Sequence, residues 1–148
     1  MIILENQVLD ISQLESFALD FCKNLKAGDI LMLKGDLGVG KTTFSRFLIN
    51  NLHSLKNIQK PNSIKSPSFP ILITYDLHTY EIYHYDLYRI KNIKELEELD
   101  FFENIKNNIT LIEWPDLLVS LPFKQKFYLV SLDFYTDKKR MTNIKYFD

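Results

Sequence analysis

The sequence predicts an α/β fold in which a central, partly parallel β-sheet is covered by helices and extended by antiparallel hairpins. A mostly apolar segment at 29–33 leads through a glycine-rich loop into a helical pattern, a second apolar segment at 109–112 precedes an acid, and residues 126–147 alternate like a hairpin. Continuous apolar segments are typical of buried parallel strands, whereas alternation is typical of antiparallel strands with one exposed face. The 148 residues fit one domain, so we expect a single domain over 1–148.

Composition limits the class of protein. The 18 basic and 19 acidic residues give a formal net charge of −1, which argues against a general electrostatic grip on nucleic acid. The single cysteine, Cys22, cannot form an internal disulfide, which fits a reducing cytoplasm. No apolar run approaches the ~18 residues of a membrane span, and the first residues lack the basic region of a secretory signal. We therefore expect a soluble cytoplasmic protein.

Residues 35–42 fit the phosphate-binding loop (P-loop) pattern, Gly-x-x-x-x-Gly-Lys-Ser/Thr, at every required position. Three of the four glycines of the chain lie in this loop, where backbone N–H groups must point inward at a phosphate. We expect Lys41 to reach the β- and γ-phosphates and the Thr42 hydroxyl to bind Mg²⁺. The residues expected to cradle a nucleotide are Gly35, Asp36, Leu37, Gly38, Val39, Gly40, Lys41, Thr42 and Thr43.

The context of the loop supports this interpretation. The segment 29–33 before it predicts a buried strand, and 43–49 after it predicts a helix that fades near 50–51. The N-terminus of that helix would add a favourable dipole for phosphates. The sequence therefore predicts a three-layer P-loop NTPase fold that binds a nucleotide.

A helix is predicted before this strand. Ser12-Gln13-Leu14-Glu15 has the form of a capping box, and an apolar stripe at helical spacing follows it as far as Leu25. Cys22 lies on that stripe and is interpreted as a core residue. Residues 27–29 are expected to end the helix and lead into the strand.

A polar segment without amphipathic period, residues 53–66, predicts a mobile connection. It leads into Ser66-Pro67-Ser68-Phe69-Pro70, where two prolines hold the chain extended and two hydroxyls remain free. The hydroxyls of Ser66 and Ser68 suit a switch segment that contacts the γ-phosphate or the metal. A proline-rich turn before a strand is the alternative, and it is the one that the sequence alone favours.

The second half of the chain predicts further strands and one helix. Residues 71–75 and 80–85 indicate two strands joined by a short turn, and 91–104 indicate a surface helix. Residues 109–112 indicate a buried strand. Residues 126–134 and 140–147 indicate a hairpin with its tip at 136–138.

Two acids are candidates for the carboxylate that a P-loop enzyme places near its metal. Glu113 follows the strand at 109–112, and Asp86 follows the strand at 80–85. Both suit the carboxyl ends of strands, where ligands of α/β sheets bind, although an ordinary strand-end acid remains the alternative for each. Alternation places His84 on the same face as Asp86, with Tyr85 opposite, as either a base, an orienting group or a structural histidine.

Four segments together resemble one family. They are 35–44; Ser-Pro-Ser-Phe at 66–69, where that family usually has Ser-Pro-Thr-Phe or Tyr; His-Tyr-Asp-Leu-Tyr-Arg at 84–89; and Ile-Glu-Trp at 112–114. In this order and spacing, over nearly the whole chain, they resemble the TsaE (YjeE) family of small bacterial ATPases that serve threonylcarbamoyladenosine synthesis on tRNA.

The resemblance implies roles for individual residues. Lys41 would hold the phosphates of ATP or ADP, Thr42 and Glu113 would bind Mg²⁺ directly or through water, and Asp86 would support hydrolysis. Residues 66–69 would form a switch-like segment near the γ-phosphate. The adenine would lie near Ile11 and Ser12. Arg140 would be the late arginine of the family, although Lys-Lys-Arg stands at 138–140 in place of the usual Gly-Arg-Arg.

Other classes of P-loop protein can be tested by the motifs that they require. A GTPase needs Asp-x-x-Gly and Asn-Lys-x-Asp, and neither occurs, since the only glycines are at 28, 35, 38 and 40. A small-molecule kinase needs lid arginines, but Arg46, Arg89 and Arg140 are the only arginines and no two are close in sequence. A nucleotide-dependent binding module without turnover shares every motif. The resemblance to the TsaE family implies Mg²⁺-dependent ATP hydrolysis in tRNA threonylcarbamoyladenosine synthesis. It also implies TsaD and TsaB as partners, with tRNA held mainly by them.

Overall fold

The computed structural model describes residues 1–148 and centres on one seven-stranded β-sheet. The strands are β1 (Ile2–Asp10), β2 (Ile30–Lys34), β3 (Leu72–Asp76), β4 (Glu81–Asp86), β5 (Ile109–Glu113), β6 (Phe127–Phe134) and β7 (Lys139–Phe147). They lie in the order β1-β7-β6-β2-β5-β4-β3. Because β2 pairs in parallel with both β5 and β6, and β4 pairs in parallel with β5, the four inner strands form a parallel core.

Antiparallel strands extend this core at both edges. β3 pairs with β4 on one side, and β6, β7 and β1 follow one another on the other side. The predicted mixed sheet with antiparallel hairpins is therefore confirmed, as is the hairpin formed by β6 and β7.

Helices cover both faces of the sheet. α1 (Ile11–Cys22) and α2 (Lys41–Leu55) pack on one face; α3 (Ile93–Glu98), α4 (Phe101–Asn104) and α5 (Asp116–Val119) pack on the other. Alternate residues of β2 divide between the two cores: Leu31 and Leu33 lie in the larger core with α1 and α2, whereas Ile30 and Met32 lie in the smaller one. Since both faces are buried, β2 and β5 need the continuous apolar sequence that predicted them.

The start and end of α1 differ from the prediction. Its N-cap is Asp10, whose Oδ1 accepts a hydrogen bond from the N–H of Gln13 at 2.8 Å while Gln13 Oε1 accepts one from the N–H of Asp10 at 2.9 Å. The predicted capping box at 12–15 is therefore wrong, because an aspartate two residues earlier already satisfies the first N–H groups. The helix also ends at Cys22, earlier than the predicted end at 27–29. Cys22 is buried as expected, and burial raises the pKa of its thiol to about 12.

Three further elements differ. No strand was expected at β1, because its apolar residues, at 2–4 and 8–9, do not alternate with polar ones. The predicted helix at 91–104 is two short helices, because Asp100 takes a left-handed conformation (φ 54°) between α3 and α4. α2 continues to Leu55, so the connection without regular structure is shorter than the predicted 53–66. No helix of the fold is both long and apolar enough to cross a membrane.

Candidate nucleotide and metal site

The P-loop runs from the end of β2 to the start of α2, where Gly40 is the N-cap. A Cβ on Gly35 would lie 2.5 Å from the carbonyl oxygen of Leu132 and 2.7 Å from a methyl of Val39, so only glycine fits there. No side chain caps the N-terminus of α2. Its first N–H groups and its dipole are therefore directed at the loop, as in an anion-binding site.

Lys41 is the buried cation of the site. Its Nζ donates to the carbonyl oxygens of Gly35 (2.7 Å) and Asp36 (3.0 Å), and lies 4.0 Å from the centre of the Trp114 ring. Burial lowers the pKa of the Lys41 ammonium group, and nearby carboxylates, Glu113 first among them, act in the opposite direction. An ammonium group has three N–H donors, so a donor remains for a phosphate oxygen.

Thr42 and Glu113 bring two oxygen atoms together beneath the P-loop. Thr42 Oγ1 donates to Glu113 Oε2 at 2.9 Å, and Glu113 Oε1 lies 2.8 Å from His84 Nε2. The sheet explains this meeting: β5 ends at Glu113 beside β2, and β2 leads through the loop to Thr42. His84 and Glu113 are buried, so this contact is shielded from water.

Asp86 ends β4 directly beside Glu113, because these two residues are partners in the parallel register of β4 and β5. Its Oδ1 accepts a hydrogen bond from the N–H of Tyr88 at 2.9 Å. Burial raises the pKa of Asp86, while the Tyr88 hydrogen bond opposes that shift. Tyr85 lies on the opposite face, packed against Phe101, as alternation predicted.

Two cavities meet at the P-loop. The first, of about 430 Å³, is here called the Glu113 cavity, and it brings together most of the residues expected near the phosphates and metal. Its lining is Leu37, Gly38, Gly40, Lys41, Thr42, Thr43, Ser66, Ser68, Asp86, Tyr88, Arg89, Glu113 and Trp114.

The second cavity, of about 500 Å³, is here called the Arg140 cavity. It contains the residues expected near the adenine, Ile11 and Ser12, together with Arg140 and Val39. Leu9, Asp10, Leu14, Gly38, Gly40, Thr43, Asp137 and Lys138 complete it. Gly38 and Gly40 of the P-loop and Thr43 of α2 line both cavities, so the two lie next to each other on either side of the loop.

Two of the expected P-loop residues line neither cavity. Gly35 and Asp36 face a separate cavity of about 400 Å³, and within the site they supply only the carbonyl groups that accept from Lys41. Arg140 is hydrogen-bonded to the P-loop, because its Nε donates to Val39 O at 2.7 Å. One of its terminal nitrogens also donates to Thr136 O, outside the P-loop, at 3.0 Å.

The segment with Ser66 and Ser68 closes the outer side of the Glu113 cavity. Residues 67–70 form a turn and not the expected extended chain: the N–H of Ile71 donates to Pro67 O at 2.7 Å, and the N–H of Ser68 reaches Ser66 Oγ at 3.4 Å. The alternative, a proline-rich turn before a strand, is therefore confirmed. Phe69 is 80% exposed, and its ring lies 5.0 Å from the guanidinium carbon of Arg89.

Tyr88, Arg89 and Trp114 belong to the segments that resemble the family, but the sequence predicts no role for their side chains. All three line the Glu113 cavity. Their position directly after the two strand-end acids was the available signal, since residues that follow a parallel strand lie at the same edge of the sheet. Leu9, Asp10, Asp137 and Lys138 were missed because their place in the Arg140 cavity depends on the pairing of β1 with β7.

Comparison with known proteins agrees with this geometry. The family model "Threonylcarbamoyl adenosine biosynthesis protein TsaE" matches residues 8–142. The tRNA threonylcarbamoyladenosine biosynthesis protein TsaE of Rickettsia typhi is 40% identical over 131 residues, covering 88% of this chain and 87% of that protein. The protein of the same name from Borreliella burgdorferi is 32% identical over 115 residues, covering 76% and 79%.

The fold is also found in a solved structure. The crystal structure of YdiB from Bacillus subtilis superposes with a TM-score of 0.62 at 24% identity, covering 97% of this chain and 86% of that one. The predicted α/β P-loop fold is thereby confirmed. Since the family model spans residues 8–142 and the relatives match over most of their own length, the chain belongs to the TsaE family of tRNA threonylcarbamoyladenosine biosynthesis proteins.

Proposed function

We propose that this protein binds ATP with Mg²⁺ and hydrolyses it in support of threonylcarbamoyladenosine formation on tRNA. The observation that carries the proposal is the contact of Thr42 Oγ1 with Glu113 Oε2, at 2.9 Å, directly under a P-loop whose lysine is buried beside it. The phosphate-binding, metal-binding and hydrolytic roles would then fall on neighbouring residues of one cavity.

The available groups suit Mg²⁺. Thr42 and Glu113 offer hard oxygen atoms, and no group of three or more His, Cys, Asp or Glu side chains is arranged to hold a metal by itself. Mg²⁺ is commonly bound by one or two protein oxygens with substrate phosphates and water completing the shell. When bound, the ion would neutralise charge that develops on the phosphate oxygens during transfer.

The chain's own residues would do the rest. Lys41 would hold the phosphates through its remaining N–H donor, and the first N–H groups of α2 would add to this binding. Asp86 would accept a proton from the attacking water, or orient that water. Its buried carboxylate has a raised pKa, which makes it a better proton acceptor than an exposed aspartate.

The Arg140 cavity would receive the adenosine part of ATP. Its lining includes Ile11 and Ser12 from the start of α1, and it shares Gly38, Gly40 and Thr43 with the adjoining Glu113 cavity. ATP lying across both cavities would place its base against apolar side chains and its γ-phosphate near the two carboxylates.

A small-molecule kinase fits less well. Arg46 donates to Ile64 O at 2.7 Å and Arg140 donates to Val39 O at 2.7 Å, so two of the three arginines are held by backbone carbonyls. Only Arg89 lines the Glu113 cavity. A single arginine favours transfer to water over the multi-arginine lid that a kinase closes on its substrate.

We further propose that TsaD and TsaB are the partners, and that ATP alters the surface they recognise. Ser66 and Ser68 line the Glu113 cavity, and Ser68 and Phe69 are exposed, so a γ-phosphate there would contact Ser66 or Ser68 and order this surface. If the ATP form binds the partners better, the partners must raise ATP affinity by the same factor. The near-neutral charge of the chain fits tRNA being held chiefly by the partners.

The experiment is a measurement of phosphate release from ATP by the pure protein, alone and with TsaD, TsaB and tRNA, with and without Mg²⁺. We expect Mg²⁺-dependent release that increases with the partners. ATP binding without release under any of these conditions would contradict the hydrolytic role and favour a nucleotide-dependent binding module. Equal partner affinity with ADP and with a non-hydrolysable ATP analogue would contradict the coupling.

A further inference from the structure

His84 is a buried residue of the site that the proposed function leaves without a role. It lies on β4, and its register partner Leu111 belongs to the core under α1 and α2, so His84 faces the same side of the sheet as the P-loop. Its ring has no exposed surface, and its Nε2 lies 2.8 Å from Glu113 Oε1.

The Glu113 carboxylate is held from two sides. Oε2 accepts from Thr42, and Oε1 lies against His84 Nε2. No other hydrogen bond reaches this side chain. The orientation of the carboxylate is therefore set by two contacts. One is with Thr42 at the start of α2, and the other is with His84 on β4.

The surroundings decide which ring nitrogen carries the proton. His84 Nδ1 is buried without a hydrogen-bond partner. In a neutral ring with the proton on Nδ1, that N–H would be unpaired, and the lone pair of Nε2 would face a carboxylate oxygen at 2.8 Å. With the proton on Nε2, the ring donates to Glu113 and only an acceptor is left unpaired. The second arrangement avoids both an orphaned donor and a repulsive contact.

We propose that His84 is a positioning residue, which donates from Nε2 to Glu113 and so directs the other carboxylate oxygen toward Thr42. This inference rests on the proposed Mg²⁺–ATP binding and assigns the group that prepares the site for the ion. If Thr42 and Glu113 both bound Mg²⁺, the hydrogen bond from His84 would be the remaining side-chain contact that sets the direction of the carboxylate.

This role matters because Mg²⁺ demands near-ideal geometry, and a glutamate has several rotatable bonds. Groups that orient a metal ligand typically change metal affinity by roughly 10- to 100-fold when they are removed. His84 holds Glu113 without itself touching the nucleotide. Its loss should therefore change the Mg²⁺-dependent part of ATP affinity and leave metal-free binding unaltered.

Two substitutions of His84 by amide side chains of different length test the inference. In His84→Gln the terminal nitrogen lies near the position of Nε2 and still donates to Glu113, whereas in His84→Asn it lies near Nδ1 and falls short. We expect His84→Asn to weaken binding of a non-hydrolysable ATP analogue with Mg²⁺ by at least about tenfold, and His84→Gln to stay within about threefold of the native protein. Binding in EDTA should be the same for all three.

A matched control is His53→Gln, because His53 is also buried but bonds Ile49 O within α2, away from Glu113. It should leave the Mg²⁺ dependence unchanged. If Asn and Gln at position 84 behave alike, the histidine only fills space and the inference is overturned. If the native protein binds the analogue no better with Mg²⁺ than without it, the proposed function fails instead.

Nitrogen NMR of the native protein gives a second, nucleotide-free test that needs no variant. We expect the His84 ring to show its proton on Nε2. A proton on Nδ1 would overturn the positioning role and leave the proposed ATPase function standing. This measurement decides the inference even if His84→Asn does not fold.

Discussion

The Glu113 cavity has two walls of different construction. The buried wall, defined here as Lys41, Asp86 and Glu113, is almost fully enclosed, and each of its side chains makes a hydrogen bond at 3.0 Å or less. The exposed wall, defined as Ser66, Ser68, Tyr88 and Arg89, includes a hydrogen bond of 3.4 Å and side chains open to solvent.

This difference indicates a division of work. The buried wall stands on the ends of parallel inner strands and on α2, so its geometry should persist without ligand. The exposed wall has few buried contacts, and such regions are those that open most easily and respond to ligands. Chemistry is therefore expected from the first wall, and sensing of nucleotide state from the second.

Within the buried wall, Asp86→Ala should have the largest effect. It removes the proposed proton acceptor and should lower turnover by about 100-fold while ATP affinity changes less than about threefold. Phosphate release in single-turnover experiments measures the first quantity, and calorimetry measures the second. Asp76→Ala is the matched control, because Asp76 also ends a strand but lies outside the cavity. Native turnover in Asp86→Ala would reduce Asp86 to a strand-end acid.

Glu113→Ala should act on the metal rather than on the chemistry. Loss of a charged ligand worth about 2 kcal/mol should raise the Mg²⁺ concentration needed for tight ATP binding by roughly 30-fold. A Mg²⁺ titration of ATP binding measures this, with the exposed Glu98→Ala as control. If instead Asp86→Ala shifts the Mg²⁺ requirement and Glu113→Ala only slows turnover, the two roles are exchanged.

Lys41→Ala should weaken ATP binding by at least about tenfold, since a charge-assisted hydrogen bond contributes roughly 1.5–3 kcal/mol. Lys23→Ala, which removes an exposed lysine paired only with Asp20, should leave ATP affinity unchanged in the same calorimetric measurement. Native affinity in Lys41→Ala would remove the P-loop interpretation altogether.

The smallest effect is expected beside the exposed wall, where the Phe69 ring lies against Arg89 of that wall. Phe69→Ala removes an 80% exposed ring and should change the free energy of unfolding by less than about 0.5 kcal/mol. Hydrogen exchange across 53–69 should slow with a non-hydrolysable ATP analogue but not with ADP. Unchanged exchange with both nucleotides would mean that the exposed wall does not respond to the nucleotide state, which would contradict its proposed sensing role.

The buried wall is also the part that the sequence predicts best. β2 and β5 are mainly apolar segments and the P-loop is a local motif, so a few adjacent residues contain most of the signal. Glu113 and Asp86 could be placed at one edge of the sheet because parallel strands end together. The contact of Glu113 with His84 could not be predicted from the sequence, because it depends on β4 and β5 being neighbours in the sheet.

Other features depend on distant parts of the chain. β1 is an edge strand with little buried surface, and it forms because β7 offers a partner more than 120 residues away. The break at Asp100 and the left-handed conformation of Trp114 (φ 57°) reflect how short helices fit the sheet rather than local preference. The resemblance implied only a nucleotide contact for Arg140. Its hydrogen bond to Val39 O could not be predicted, because it joins residues that are distant in the sequence.

The pairing of β1 with β7 has a consequence for the order of folding. β1 is made first and β7 last, so the edge they form closes only after every inner strand has been synthesised. Contacts of such long sequence separation form late, because the chain must first pay the entropy of closing a large loop. Leu9 and Arg140 are register partners in these two strands, and both line the Arg140 cavity. We therefore expect nucleotide to bind only chains that have completed this final pairing, and by binding to draw late intermediates toward the native state.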